Sequence, residues 1–102
     1  MRKSVLALAL TCLVTAPAQA STVAMNLGSV LGSEVACGLK FDQAAIARFI
    51  ESRVKPSDMG FAGMLNLMTI GARAEIDDMT ASQKTAHCTQ IRRVARSYKL
   101  IE

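Results

Sequence analysis

Apolar residues recur at helical spacing through most of the chain beyond residue 40. Between Asp42 and Pro56 four of them lie about one turn apart, namely Ile46, Phe49, Ile50 and Val54. Asp42 is a favourable N-cap, and Pro56 stops a helix at the residues before it. This pattern predicts a first clear helix between these two residues.

The most apolar stretch follows Pro56. We expect Ser57 or Asp58 to cap a helix with a wide apolar face made of Phe61, Met64, Leu65, Met68 and Ala72, extended by Leu67 and Ile70. A helix that is apolar around most of its circumference is usually buried. We therefore predict that this helix is the central one, with Gly60, Gly63 and Gly71 allowing its neighbours to approach closely.

A last helix is predicted from about Ala81 to Lys99, because Thr80 and Gln83 match a capping box. Its two faces separate at about 100° per residue. The apolar face carries His87, Ile91, Val94, Ala95, Tyr98 and Ile101. The opposite face carries the basic stripe, defined as Arg92, Arg93, Arg96 and Lys99.

The fold class that these patterns predict is all-α, a small bundle of three to four helices in one domain over residues 34–102. Residues 21–33 are weakly apolar and contain Gly28 and Gly32, each of which costs about 1 kcal/mol inside a helix. We expect this segment to be a flexible N-terminal arm. A short helix from Val23 to Leu31 is the alternative.

Residues 1–20 have the pattern of a cleaved signal peptide. Arg2 and Lys3 precede an apolar run from Val5 to Val14, and a small-residue cleavage site ends at Ala20. The apolar run is shorter than the ~20 residues of a membrane-spanning helix. Cys12 raises the alternative of a lipoprotein, but Leu10 is large where that processing needs small residues. We expect a periplasmic or secreted protein without a transmembrane segment in its mature part.

Removal of this leader leaves two cysteines, Cys37 and Cys88. In an oxidising compartment an even number of cysteines indicates disulfide bonding, and only one pairing is possible. Such a bond closes a loop of about 50 residues, for which the chain-entropy model gives roughly 4 kcal/mol of stabilisation. This is a large share of the stability of a small domain.

The net charge of the mature part bears on the class of partner. Two of the 12 Lys and Arg residues lie in the leader, which leaves ten against eight Asp and Glu, a net charge of about +2. This modest excess does not favour nucleic acid as a partner. The basic stripe is a candidate contact for a protein partner or an anionic surface, although a solvated helix face has the same pattern.

No catalytic motif is present, and we expect neither enzymatic activity nor a cofactor or metal. His87 is a possible pH-responsive residue, with a hydrogen-bonded core-edge histidine as the plainer interpretation. A soft ligand set for copper would consist of Met59, Met64, Met68 and Met79 with His87. Methionines one turn apart on an apolar helix face are usually core residues. The acidic group Glu75, Asp77 and Asp78 lacks the ligand spacing of a calcium loop.

With two distant cysteines around a helical core, the mature chain resembles the small exported acid-stress chaperones of the HdeA/HdeB type. The resemblance rests on Cys37 and Cys88 and covers residues 34–99 in outline. It implies dissociation in acid, exposure of apolar surface and protection of periplasmic clients. This chain differs in being basic and in lacking a tryptophan beside the first cysteine. Another family of small secreted bacterial proteins is the alternative.

We therefore expect a non-enzymatic helical protein that works by binding, through its most apolar helix or its basic one. An acid-stress chaperone and a copper carrier are the alternatives. The sequence leaves the ligand and the oligomeric state open.

Overall fold

The computed structural model describes residues 18–102, and this part of the chain consists of four helices and their connections, without a strand. The helices are α1 (Ala18–Gly32), α2 (Gln43–Arg53), α3 (Phe61–Asp77) and α4 (Ala81–Ser97). The predicted all-α bundle is confirmed. The n-region and the apolar run of the predicted leader lie outside the described residues.

Residues 21–33 are not a flexible arm. They form most of α1, in which Ala24, Leu27 and Val30 are buried. The two glycines that lower the helix propensity of this segment also allow it to pack closely against α3. A Cβ atom on Gly28 would lie 2.6 Å from the Cβ of Met68, and one on Gly32 would lie 2.6 Å from the carbonyl oxygen of Thr69. Close packing of the two helices therefore outweighs the ~1 kcal/mol propensity loss at each glycine.

Helices α1 and α3 run side by side in the same direction. Gly28 lies against Met68 and Gly32 against Ala72, so both contacts join residues with the same offset along the two helices. Because these glycines present only backbone, the axes can approach more closely than two helices with ordinary side chains at the contact. This pair of helices forms one layer of the domain.

Helix α3 is not the buried central helix that its composition predicted. Phe61 and Ile76 are buried near its ends, but Leu67 is 62% exposed and Ile70 is 57% exposed. Cβ atoms on Gly63 or Gly71 would have no neighbour within 4 Å, so these glycines make no close approach. α3 is an edge helix because α1 covers one of its sides and no other described element packs against the opposite one.

The core receives residues from all four helices and from the segments that join them. Its buried apolar members are Ala24, Leu27, Val30, Cys37, Phe41, Ala45, Phe49, Phe61, Ile76, Cys88, Ile91, Ala95 and Leu100. The chain end takes part, because the N–H of Asp42 donates to the carbonyl oxygen of Leu100 at 3.0 Å. The start of α2 is thereby joined to the segment after α4.

Two of the predicted caps are confirmed. The side chain of Asp42 accepts from the N–H groups of Ala44 and Ala45, and Thr80 and Gln83 form the complete capping box. The predicted cap of α3 is wrong. Its N-cap is Gly60, which has no side-chain oxygen to accept from the first turn. The N–H of Phe61 donates instead to the carbonyl oxygen of Asp58 at 3.3 Å, so a backbone group and not a side chain serves the first turn of α3.

The predicted disulfide is confirmed. Cys37 and Cys88 are joined, with their Cα atoms 5.3 Å apart and each residue 5% exposed. The bond fastens the turn after α1 to the middle of α4. Gly38 ends this turn with a φ of 66°, a left-handed conformation that glycine adopts without steric cost.

Replacing either cysteine, as Cys37→Ser or Cys88→Ser, is expected to lower the free energy of unfolding by about 2 to 4 kcal/mol. The double variant should lose little more than either single one, because all three remove the same cross-link. Urea denaturation under non-reducing conditions measures these losses. Additive losses would contradict the prediction, since they would mean that the cysteines act separately.

The glycines of α1 and α3 give a second prediction, because those of α1 lie in the helix contact and Gly71 of α3 does not. Gly32→Ala should destabilise the domain by about 1 to 3 kcal/mol, because the new methyl group meets the backbone of α3. Gly71→Ala is the matched control. It adds the same methyl group in open space and should stabilise the domain by roughly 0.5 to 1 kcal/mol through helix propensity. Equal effects of the two substitutions in urea denaturation would refute the close contact of α1 with α3.

Candidate functional site

The four cations of the predicted basic stripe lie in different environments. Arg92 is half-buried, and its guanidinium donates to the carbonyl oxygen of Cys37 at 3.1 Å. Arg93 is exposed and donates to Oε1 of Gln90 at 3.3 Å, while Arg96 is exposed to solvent. Arg92 thus holds the disulfide turn against α4, which leaves the other three for contact with a partner.

Lys99 lies beyond the end of α4, in an unusual backbone conformation. Its φ of 62° is left-handed. The N–H of Leu100 donates to the carbonyl oxygen of Ala95 and that of Lys99 to Arg96, which is the hydrogen-bond pattern of a Schellman motif. Glycine is the usual residue at this position, as Gly38 shows in the turn after α1. A lysine here strains the backbone.

An aromatic pair joins α2 to the end of α4. The rings of Phe49 and Tyr98 are stacked, with centroids 4.3 Å apart and an interplanar angle of 28°. The guanidinium carbon of Arg53 lies 4.7 Å from the centroid of the Phe49 ring, which is a cation–π contact. The aromatic pair therefore fixes the direction of one arginine on α2.

These residues surround a groove of about 390 Å³, which we call the α2–α4 groove. It is lined by Ala45, Arg48, Phe49, Ser52, Arg53, Ser97, Tyr98 and Lys99. Three of these residues are cations and none is a carboxylate. Within residues 18–102, Asp42 is paired with Arg48 at 3.9 Å, and both side chains are more than half exposed. Such an exposed pair contributes between zero and about 1 kcal/mol, and the residues that line the groove have a net positive charge.

His87 is half-buried beside a hydroxyl from α1. Its Nε2 lies 2.8 Å from Oγ of Ser33, which is fully buried and donates to the carbonyl oxygen of Ser29. Because the hydroxyl proton is given to Ser29, the imidazole must be the donor. The structure thus favours the plainer interpretation of a hydrogen-bonded histidine, with Ser33 as a partner that the sequence did not suggest.

The five residues of the predicted copper set are dispersed. Met59 precedes the first turn of α3 and Met79 follows the last, so the length of that helix, about 25 Å, separates them. Met68 lies against Gly28 in the contact between α1 and α3. His87 already uses Nε2 for Ser33. These residues do not converge on one ion.

The side of α3 that faces away from α1 is apolar and uncovered. We call it the α3 outer face, and at about 100° per residue it consists of Gly63, Met64, Leu67, Ile70, Gly71 and Ala74. Met64 is 40% exposed, and Leu67 and Ile70 are more exposed still. No charged residue occurs between Phe61 and Ala72. A continuous apolar stripe of this kind is typical of a contact surface.

Charge is unevenly placed along α3. Glu75, Asp77 and Asp78 lie at its C-terminal end, where the helix dipole disfavours negative charge, and the first turn holds no acidic residue. Within residues 18–102 no three His, Cys, Asp or Glu side chains are grouped as metal ligands. Asp77 comes seven residues after Ile70 and therefore lies at the edge of the α3 outer face. The C-terminal end of this face is acidic for that reason.

Two features of these surfaces were not predicted from the sequence. The α2–α4 groove depends on Arg48 and Arg53, which were not among the predicted site residues. Their position next to Lys99 results from the packing of α2 on α4, for which the stacked Phe49 and Tyr98 were the available signal. The α3 outer face was misassigned to the core because the number of helices packed on α3 was overestimated.

None of the helices in the described part of the chain is both long and apolar enough to cross a membrane. Comparison with known proteins adds no relative: no family model, no curated protein and no solved structure matches this chain.

Proposed function

We propose that the mature domain is an exported, non-enzymatic binding protein whose contact surface for a protein partner is the α3 outer face. The observation that carries this proposal is the exposure of Met64, Leu67 and Ile70 on one side of a helix whose opposite side packs against α1. The disulfide between Cys37 and Cys88 supports export, because such bonds persist in oxidising compartments such as the periplasm.

The size of this face sets the strength of the contact. Full burial of one such apolar side chain contributes roughly 1.5 to 3 kcal/mol, and association itself costs several kcal/mol. A single helix face also falls short of the ~800 Å² per partner of a standard stable interface. The geometry therefore favours a reversible contact of moderate affinity.

Charge narrows the chemistry of the partner. Asp77 borders the apolar stripe at the C-terminal end of α3, where the helix dipole is also negative. A partner helix with an apolar face and basic residues at one end would match both features if its basic end met Asp77. The proposed partner is therefore an apolar, amphipathic protein segment with a basic flank.

An acid-stress chaperone remains the alternative suggested by resemblance. Such a chaperone exposes its apolar surface only after acid loosens the fold. Here the α3 outer face is exposed while the four helices are folded, which supports binding near neutral pH. The copper alternative has less support, because Met59 and Met79 lie at opposite ends of α3.

Binding can be measured with a labelled amphipathic helical peptide that carries a leucine stripe and lysines at one end. We expect micromolar affinity at pH 7 by fluorescence anisotropy, and a loss of at least tenfold for Leu67→Ser with Ile70→Ser. The fold should be unaffected, since both side chains are exposed. Val35→Ser is the control, because Val35 is 82% exposed outside α3. Absence of binding at pH 7, or equal weakening by the control, would refute the proposal.

A second measurement separates binding protein from acid chaperone. Neutralising the eight carboxylates leaves about ten positive charges on the mature domain, so we expect partial opening below roughly pH 3. Suppression of aggregation of an acid-sensitive client, followed by light scattering at equimolar protein, should be weak. Strong suppression that disappears in Cys37→Ser would establish the chaperone alternative instead.

A further inference from the structure

The α2–α4 groove has the composition of an anion site. Arg48 and Arg53 come from α2, and Lys99 comes from the segment after α4. Ser97 and Tyr98 add hydroxyl groups, neither of which has a hydrogen-bond partner among residues 18–102. Cations from two separate elements thus line the same groove, together with Ser97 and Tyr98.

A cation–π contact restricts the side chain of Arg53. Its guanidinium lies over the ring of Phe49, on which Tyr98 is also stacked. Stacking uses the face of the guanidinium and leaves its N–H groups free to bind an oxyanion in the same plane. Because the side chain is already ordered, less conformational entropy is lost when an anion binds.

Lys99 provides a second, independent observation. A left-handed backbone conformation is strained in a residue other than glycine, and glycine would serve the Schellman motif better. Strain of this kind persists where the side chain has a use. The retained side chain supplies the third cation of the groove.

We propose that the α2–α4 groove binds the phosphate group of a small phosphorylated molecule. Two guanidinium groups and one ammonium match a tetrahedral dianion better than a singly charged carboxylate. The volume of about 390 Å³ lies within the range of ~300 to 1,000 Å³ typical of small-ligand sites. The groove lies on α2 and α4, so this site is independent of the contact surface on α3.

The chain contains one tyrosine and no tryptophan, so the intrinsic fluorescence of Tyr98 reports directly on the groove. Titration with glycerol 1-phosphate should give a saturable change, whereas sodium chloride at equal ionic strength should not. Arg53→Gln and Lys99→Gly should each weaken binding at least fivefold. Arg73→Gln, which removes the same charge on α3, should have no effect.

Lys99→Gly also separates a binding role from a structural one. Relief of the left-handed strain should raise the midpoint of thermal unfolding by about 4 °C while binding weakens. If Lys99 served only the fold, its replacement by glycine would lower the stability of the domain. Loss of both stability and binding would therefore overturn the role given to Lys99.

Phosphatidylglycerol and phosphatidylcholine vesicles distinguish a free phosphate ester from a lipid headgroup. Binding to glycerol 1-phosphate supports the free ester. Sedimentation with phosphatidylglycerol vesicles alone, lost in Arg53→Gln and kept in Arg73→Gln, assigns the phosphate to a headgroup. No response to either probe, or equal weakening by Arg73→Gln, would overturn the site.

Discussion

The fold depends on the junction between residues 33–37 and residues 87–92, where the end of α1 meets α4. Three interactions coincide there: the disulfide of Cys37 with Cys88, the hydrogen bond of Ser33 with His87, and the bond from Arg92 to the Cys37 carbonyl. The layer formed by α1 and α3 is attached to α2 and α4 through this junction. Without it, the small core would have to hold two helix pairs together by apolar contact alone, which is marginal at this size.

The parts of the fold that could be predicted from the sequence are mostly those determined by residues close to one another in the chain. Asp42 and Thr80 mark helix starts by hydrogen bonds to residues two or three positions away, so the neighbours in the sequence are sufficient to recognise them. The disulfide was predictable by parity, since a cleaved leader over residues 1–20 would leave one possible pair. The start of α2, the course of α4 and the cross-link required no knowledge of packing.

The predictions that failed concern features that depend on contacts between residues remote in sequence. Gly28 and Gly32 lower the local helix propensity, which the sequence shows. They also permit the contact with α3, which can be recognised only from the three-dimensional structure. The apolar character of Leu67 is equally compatible with a core position and with an uncovered face. The α2–α4 groove joins Arg53 to Lys99 across two helices, and the left-handed conformation of Lys99 has no sequence signal at all.

The contact between α1 and α3 distinguishes the two glycines within α1 from the two within α3. At positions 28 and 32 any side chain would collide with the neighbouring helix, whereas positions 63 and 71 have open space. Substitution should therefore be tolerated at the second pair during evolution and rejected at the first. A distant relative with different apolar residues would still be recognisable by two glycines four positions apart, followed shortly by the first of two cysteines.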